Sequence, residues 1–171
     1  MHTMSKLATA AGAAVLAVGL GAGAQALDMK PVLSLEMANK IADACVAKAA
    51  EAGWRPINVA VFDDGGNLKV FKRMEGAFLG SIQIAQMKGH SSTMFPFPTR
   101  VFAELGYGKE GQPGTVPGIV EIPGIASFPG GLPIMTAGGQ QLGGVGVSGA
   151  TSDEDEQCAQ AGLDAVADML Q

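Results

Sequence analysis

The reading of residues 130–163, GGLPIMTAGGQQLGGVGVSGATSDEDEQCAQAGL, decides the fold. Leu132, Ile134 and Met135 precede Ala137-Gly138-Gly139-Gln140, and Leu142, Val145 and Val147 follow it. The pattern is strand, tight turn, strand, because Gly-Gly supplies the positive φ that a short hairpin turn needs. Glycine at 143, 144, 146 and 149 strips one side of the second strand, which marks a bend or a close approach to the backbone. Thr151-Ser152-Asp153-Glu154 then has the form of a capping box, and the acids of that turn suit the positive end of a helix dipole. Cys158, Ala161, Gly162, Ala165, Val166 and Met169 continue it as one apolar stripe. A two-stranded ribbon is not stable alone in water, so the earlier chain must supply partner strands.

Gly144-Val145-Gly146-Val147-Ser148-Gly149 matches G-x-G-x-x-G. A dinucleotide site also needs a second strand after the helix, ending in an acid. No such strand follows here, and dinucleotide binding is not expected.

Working outward, Ser34 is placed to cap a helix from Leu35 to about Ala52, ended by Gly53. Residues 57–62 and 68–72 read as strands joined by the turn Asp63-Asp64-Gly65-Gly66-Asn67. A weak helix is expected over 81–91, with Gly89 inside it, broken by Pro96 and Pro98. Thr99 is expected to cap a short helix through Leu105. Residues 106–118 form a glycine- and proline-rich loop, and 119–125 a short strand interrupted by Pro123. The expectation is an α+β fold, a central antiparallel sheet of about five strands flanked by helices.

The 171 residues suit one domain with a real core, and 47% hydrophobic against 16% charged content suits a globular chain. The net charge of −5, with no basic cluster, argues against nucleic acid as partner. Residues 1–26 read as a secretory signal peptide: Lys6, an Ala/Gly/Val/Leu run, then Ala24-Gln25-Ala26. This leaves a single domain over 27–171, a periplasmic or secreted location, and no membrane span after cleavage. His90 is then the one histidine of the mature chain. Cys45 and Cys158 fall on apolar helix stripes, which leaves two readings: a disulfide, or neighbouring buried thiols.

Val59-Ala60-Val61-Phe62-Asp63-Asp64-Gly65-Gly66-Asn67-Leu68, followed by Arg73-Met74-Glu75-Gly76-Ala77, resembles the first hairpin of the GlcG/HbpS-like haem-binding family. Gly80-Ser81-Ile82 with Lys88, Pro98-Thr99, Pro123-Gly124-Ile125, Gly130 to Ile134, Gly143 to Gly149 and Ser152 to Ala159 are similar in order and spacing. The resemblance covers about residues 33–170. It implies a profilin/PAS-like α+β sandwich, a homo-oligomer, in several members haem as cofactor, and a partner protein that reads the haem state. Lys88-Gly89-His90 departs from the family, which commonly has lysine, alanine and arginine there.

Haem iron takes His, Met, Cys or Tyr as axial ligand. His90 is the first candidate metal ligand, since imidazole is a common iron ligand and the mature chain offers one; if the 81–91 helix continues to 94, Met87, His90 and Met94 share one face. Tyr107 is a weaker candidate, as is Met74. Arg73 and Arg100 are candidates for the haem propionates, which match guanidinium forks, as is Lys109 by charge. A glycine-lined ribbon roofed by helices is the expected pocket. No catalytic constellation is evident: G-x-S-x-G spacing and H-E-x-x-H are absent, and the acids at 153–156 are expected to be solvated. The function expected is exported haem binding for storage, transport or redox sensing. The alternative is a periplasmic small-molecule accessory or enzyme of an oxidation pathway, without haem.

Overall fold

Ser34 begins the first element as expected. In a computed structural model, which describes residues 29–171, its Oγ accepts the Met37 N–H at 3.0 Å and helix α1 runs Leu35–Glu51. The signal-peptide reading lies outside the described residues. Residues 31–171 form one compact unit, and no helix among the described residues is long and apolar enough to cross a membrane.

Strands β1 (Asn58–Asp63), β2 (Leu68–Arg73), β3 (Gly131–Met135) and β4 (Gln141–Ser148) make one sheet in the order β2-β1-β4-β3, antiparallel throughout. Both hairpins of the sequence reading are present, and β1 pairs with β4 through Ala60 opposite Gly146 and Val61 opposite Val145. The sheet has four strands, not five. Pro117–Glu121 is instead a short 3-10 helix, for which Pro117 at the start is well suited, while Pro123 has no N–H to give a ladder.

The alternation of β1 and β4 sorts the two faces. Val59, Val61, Val145 and Val147 point to one side and pack with Ile41, Ala42, Cys45, Cys158 and Ala159 of α1 and α4 (Ser152–Asp164). Ala60, Phe62 and the strand glycines point to the other side, where α2 (Leu79–Met94) lies. α2 rests directly on the backbone of β4. A Cβ on Gly89 would lie 2.9 Å from Phe62 Cδ2 and 3.0 Å from the Gly146 nitrogen, and a Cβ on Gly146 would overlap the Ala85 carbonyl. The glycine face is therefore covered by a helix rather than lining a ligand pocket, which corrects the sequence expectation.

Two smaller expectations also change. α3 spans Thr99–Tyr107, but Thr99 does not cap it; its Oγ1 accepts the Gly131 N–H at 2.9 Å and ties α3 to β3. The capping box of α4 is present, with Thr151 and Glu154 bonding each other's backbone N–H. Cys45 and Cys158 are free and fully buried, the Cys158 thiol donating to the Cys45 carbonyl at 2.8 Å. Burial, then the neighbouring Cys158, pushes the Cys45 thiol well above its usual range.

Candidate functional site on helix α2

α2 reads weakly as a helix because its inner face is not apolar. Ser81, Ala85, Gly89 and Ser92 are small, as required where a helix backbone presses on a strand backbone. Its outer face carries Gln83, Gln86, Met87, His90 and Met94, and no formal charge. The helix does continue to Met94, so Met87, His90 and Met94 share that face.

Phe62, Gln83, Gln86, Met87, His90 and Gly124 line a neutral cavity of about 280 Å³. Phe62, on the helix side of β1, meets His90 edge to face with ring centroids 5.8 Å apart. His90 is half-buried, and neither ring nitrogen has a hydrogen-bond partner among the described residues. Gly66, at φ +75° in the β1–β2 turn, lies beside it; a Cβ there would sit 3.4 Å from His90 Nε2. The imidazole is thus held by packing, with its nitrogens open to a ligand.

Opposite His90 on the helix, Lys88 is fully buried. Its Nζ donates to Asp155 Oδ2 at 2.8 Å and to the Val147 carbonyl at 2.9 Å, and lies 4.8 Å over the Phe128 ring. Asp155 Oδ1 accepts the Ala150 N–H at 3.1 Å. Burial lowers the Lys88 pKa and raises that of Asp155, each opposed by the charge of the other. Asp155 was expected in solvent with its neighbours; only 2% of it is exposed.

The other sequence candidates do not join His90. Arg100 lines a separate cavity of about 540 Å³ with Pro98, Leu132, Gln157 and Gln160, and its guanidinium is held by Asp153 and, at 3.0 Å, by Glu156. Those carboxylates, Asp153 first, raise its pKa. Arg73 donates to the Ala77 carbonyl at 3.0 Å. Tyr107 is 67% exposed in another surface hollow, 3.5 Å from the Ser127 hydroxyl. Lys109 pairs with Glu104 at 2.9 Å, and Met74 packs on the core beneath α1.

The sequence reading missed Phe62, Gln83, Gln86 and Gly124 as lining residues. Helical register alone places Gln83 and Gln86 beside His90, and strand alternation turns Phe62 away from the valines. Nothing local points to Gly124, which comes from a distant loop.

Fold and site together define an α+β protein of one antiparallel sheet between helical layers, with a neutral His/Met face on the outer helix. The family described as "Haem degrading protein HbpS-like" matches residues 33–164, and the chain belongs to that family. A double mutant of Streptomyces reticuli HbpS is similar, at 35% identity and TM-score 0.70, covering 91% of this chain and 97% of that one. Klebsiella pneumoniae protein ORFY is 30% identical with TM-score 0.71, over 81% of this chain and 93% of that one. Escherichia coli protein GlcG is 33% identical over 119 residues, which is 70% of this chain and 83% of GlcG.

Proposed function

We propose that this protein binds haem on the outer face of α2, where His90 would ligate the iron and the thioether of Met87 or Met94 would lie beside it. One observation carries this: a half-buried imidazole with no hydrogen-bond partner among the described residues stands in a neutral cavity, in a chain whose family description names haem. Imidazole and thioether are both iron ligands in haem proteins. Haem held there would supply a redox-active iron, which His90 would ligate and Phe62 and Met87 would shield. The family description also names degradation. Among the described residues that line the cavity, His90 alone is titratable, and binding is the role we propose for it.

At about 280 Å³ the cavity is no larger than the smallest ligand pockets, so it covers part of a macrocycle. The uncharged outer face of α2 supports a second copy of the chain as the other wall, in a homo-oligomer. Residues 1–26 support export to the periplasm or beyond, where haem would be stored, carried or read by a partner protein. Haem titration tests the proposal. The expected result is a Soret shift saturating near a single haem per chain and lost in His90→Ala, with far-UV dichroism unchanged. A wild-type chain that shows no shift overturns it.

The modest cavity volume favours a second reading, a small-molecule accessory or enzyme without haem. A rise in Tm with a small ligand, in a chain indifferent to haem, would select it.

A further inference from the structure

We infer that Met87, His90 and Met94 form a site for a soft monovalent cation, Cu(I) or its analogue Ag(I). The inference uses the same face of α2 as the haem reading but does not depend on haem.

α2 is helical across all three residues. At a rise of about 1.5 Å per residue, His90 stands about 4.5 Å along the axis from Met87 and about 6 Å from Met94. The imidazole therefore lies between two thioethers on one face, at the i, i+3 and i, i+4 spacings where side chains meet. Met87 and His90 already line one cavity, and Met94, one turn further along and 57% exposed, is a flexible side chain not packed into the core. Among the described residues none bonds the ring nitrogens, and Gly66 leaves the side toward Nε2 without a side chain.

The ligand chemistry selects the ion. Thioethers are soft donors that prefer Cu(I), whereas hard dications take carboxylate and carbonyl oxygen. Two thioethers and one imidazole are neutral, as are the adjoining Phe62, Gln83 and Gln86, so no anionic ligand offsets a second positive charge. Among the described residues no group of His, Cys, Asp or Glu offers a competing metal cluster. Cys45 and Cys158 are soft donors as well, but they lie buried on the far face of the sheet.

Silver nitrate, which needs no reductant, is the probe to titrate into the full chain, read by methionine-methyl NMR and native mass spectrometry. The methyls of Met87 and Met94 and the His90 ring signals should shift together at a single equivalent. In competition with bicinchoninate for Cu(I), His90→Gln and the Met87→Leu/Met94→Leu double variant should each bind roughly tenfold more weakly or worse. Unmoved methyls, or silver binding undiminished in both variants, would overturn the inference. A haem titration of the same preparation separates the two proposals. A Soret shift with unmoved methyls ends this inference and leaves haem binding standing; silver binding without a Soret shift does the reverse.

Discussion

Lys88 Nζ lies 2.8 Å from Asp155 Oδ2 with both side chains shut away from water, and this pair fastens the site-bearing helix α2 to the first turn of α4. Two charges in that position cost desolvation energy, which the Val147 carbonyl and the Ala150 N–H offset by satisfying their remaining valences. The pair holds the cavity wall in place from behind, since His90 is two residues along the same helix.

Breaking one half of the pair should therefore be far worse than removing both. Lys88→Met is expected to lose about 3–5 kcal/mol because Asp155 is left buried and uncompensated. Lys88→Met with Asp155→Leu should recover most of that. Urea unfolding of the two single variants and the double gives the coupling directly; simple additivity would show that the pair does not act as a unit.

Helix α2 can approach β4 only because Gly146 has no side chain. Gly146→Ala places a methyl against the Ala85 carbonyl and should cost about 1–3 kcal/mol or more by overpacking. Gly138→Ala, in the open β3–β4 turn with no atom nearer than 3.7 Å, should stay within about 0.5 kcal/mol of wild type. Thermal melts of both variants decide this, and equal losses would refute the close-packing account.

The Asp63 carboxylate closes the β1–β2 turn, its Oδ1 accepting the N–H groups of Gly65 and Asn67 at 3.0 Å each. The Asn67 backbone N–H is the main reason the Asp63 carboxyl is held below the usual carboxylate range. A carboxyl depressed on folding contributes stability above its unfolded pKa, and that contribution is lost as pH falls through the folded value. Asp63→Asn should thus lower the urea midpoint at neutral pH, by an amount that shrinks as pH falls below the usual carboxylate range. An unchanged midpoint at neutral pH would remove Asp63 from the turn's stability.

Arg100 was a sequence candidate for haem propionates, yet Asp153 and Glu156 already hold its guanidinium. Arg100→Ala should leave the haem titration midpoint within about twofold of wild type, because that arginine serves α3–α4 contact. A larger loss would return Arg100 to the haem site.

His90→Ala is expected to shift Tm little, since the ring is half-exposed and meets Phe62 only edge to face. A collapse in Tm would make the histidine structural and void the interpretation of its lost haem signal.

What the sequence determined by itself was whatever depends on neighbours along the chain. Both hairpins follow from Gly-rich turns between alternating apolar residues, and α1 and α4 follow from Ser34, Thr151 and their stripes. Register groups Met87, His90 and Met94 on one face provided that the helix runs past 91 to 94, as α2 does. The tertiary structure decided what depends on contact between distant segments. It filled the glycine face of β4 with α2, buried Lys88 against Asp155, and gave Arg100 to two carboxylates of α4. The physical reason is that a glycine in a strand, or a charge on a helix, states only that something must meet it. Which partner does so is set by how the layers pack, and that appears only when residues far apart in the chain are brought together.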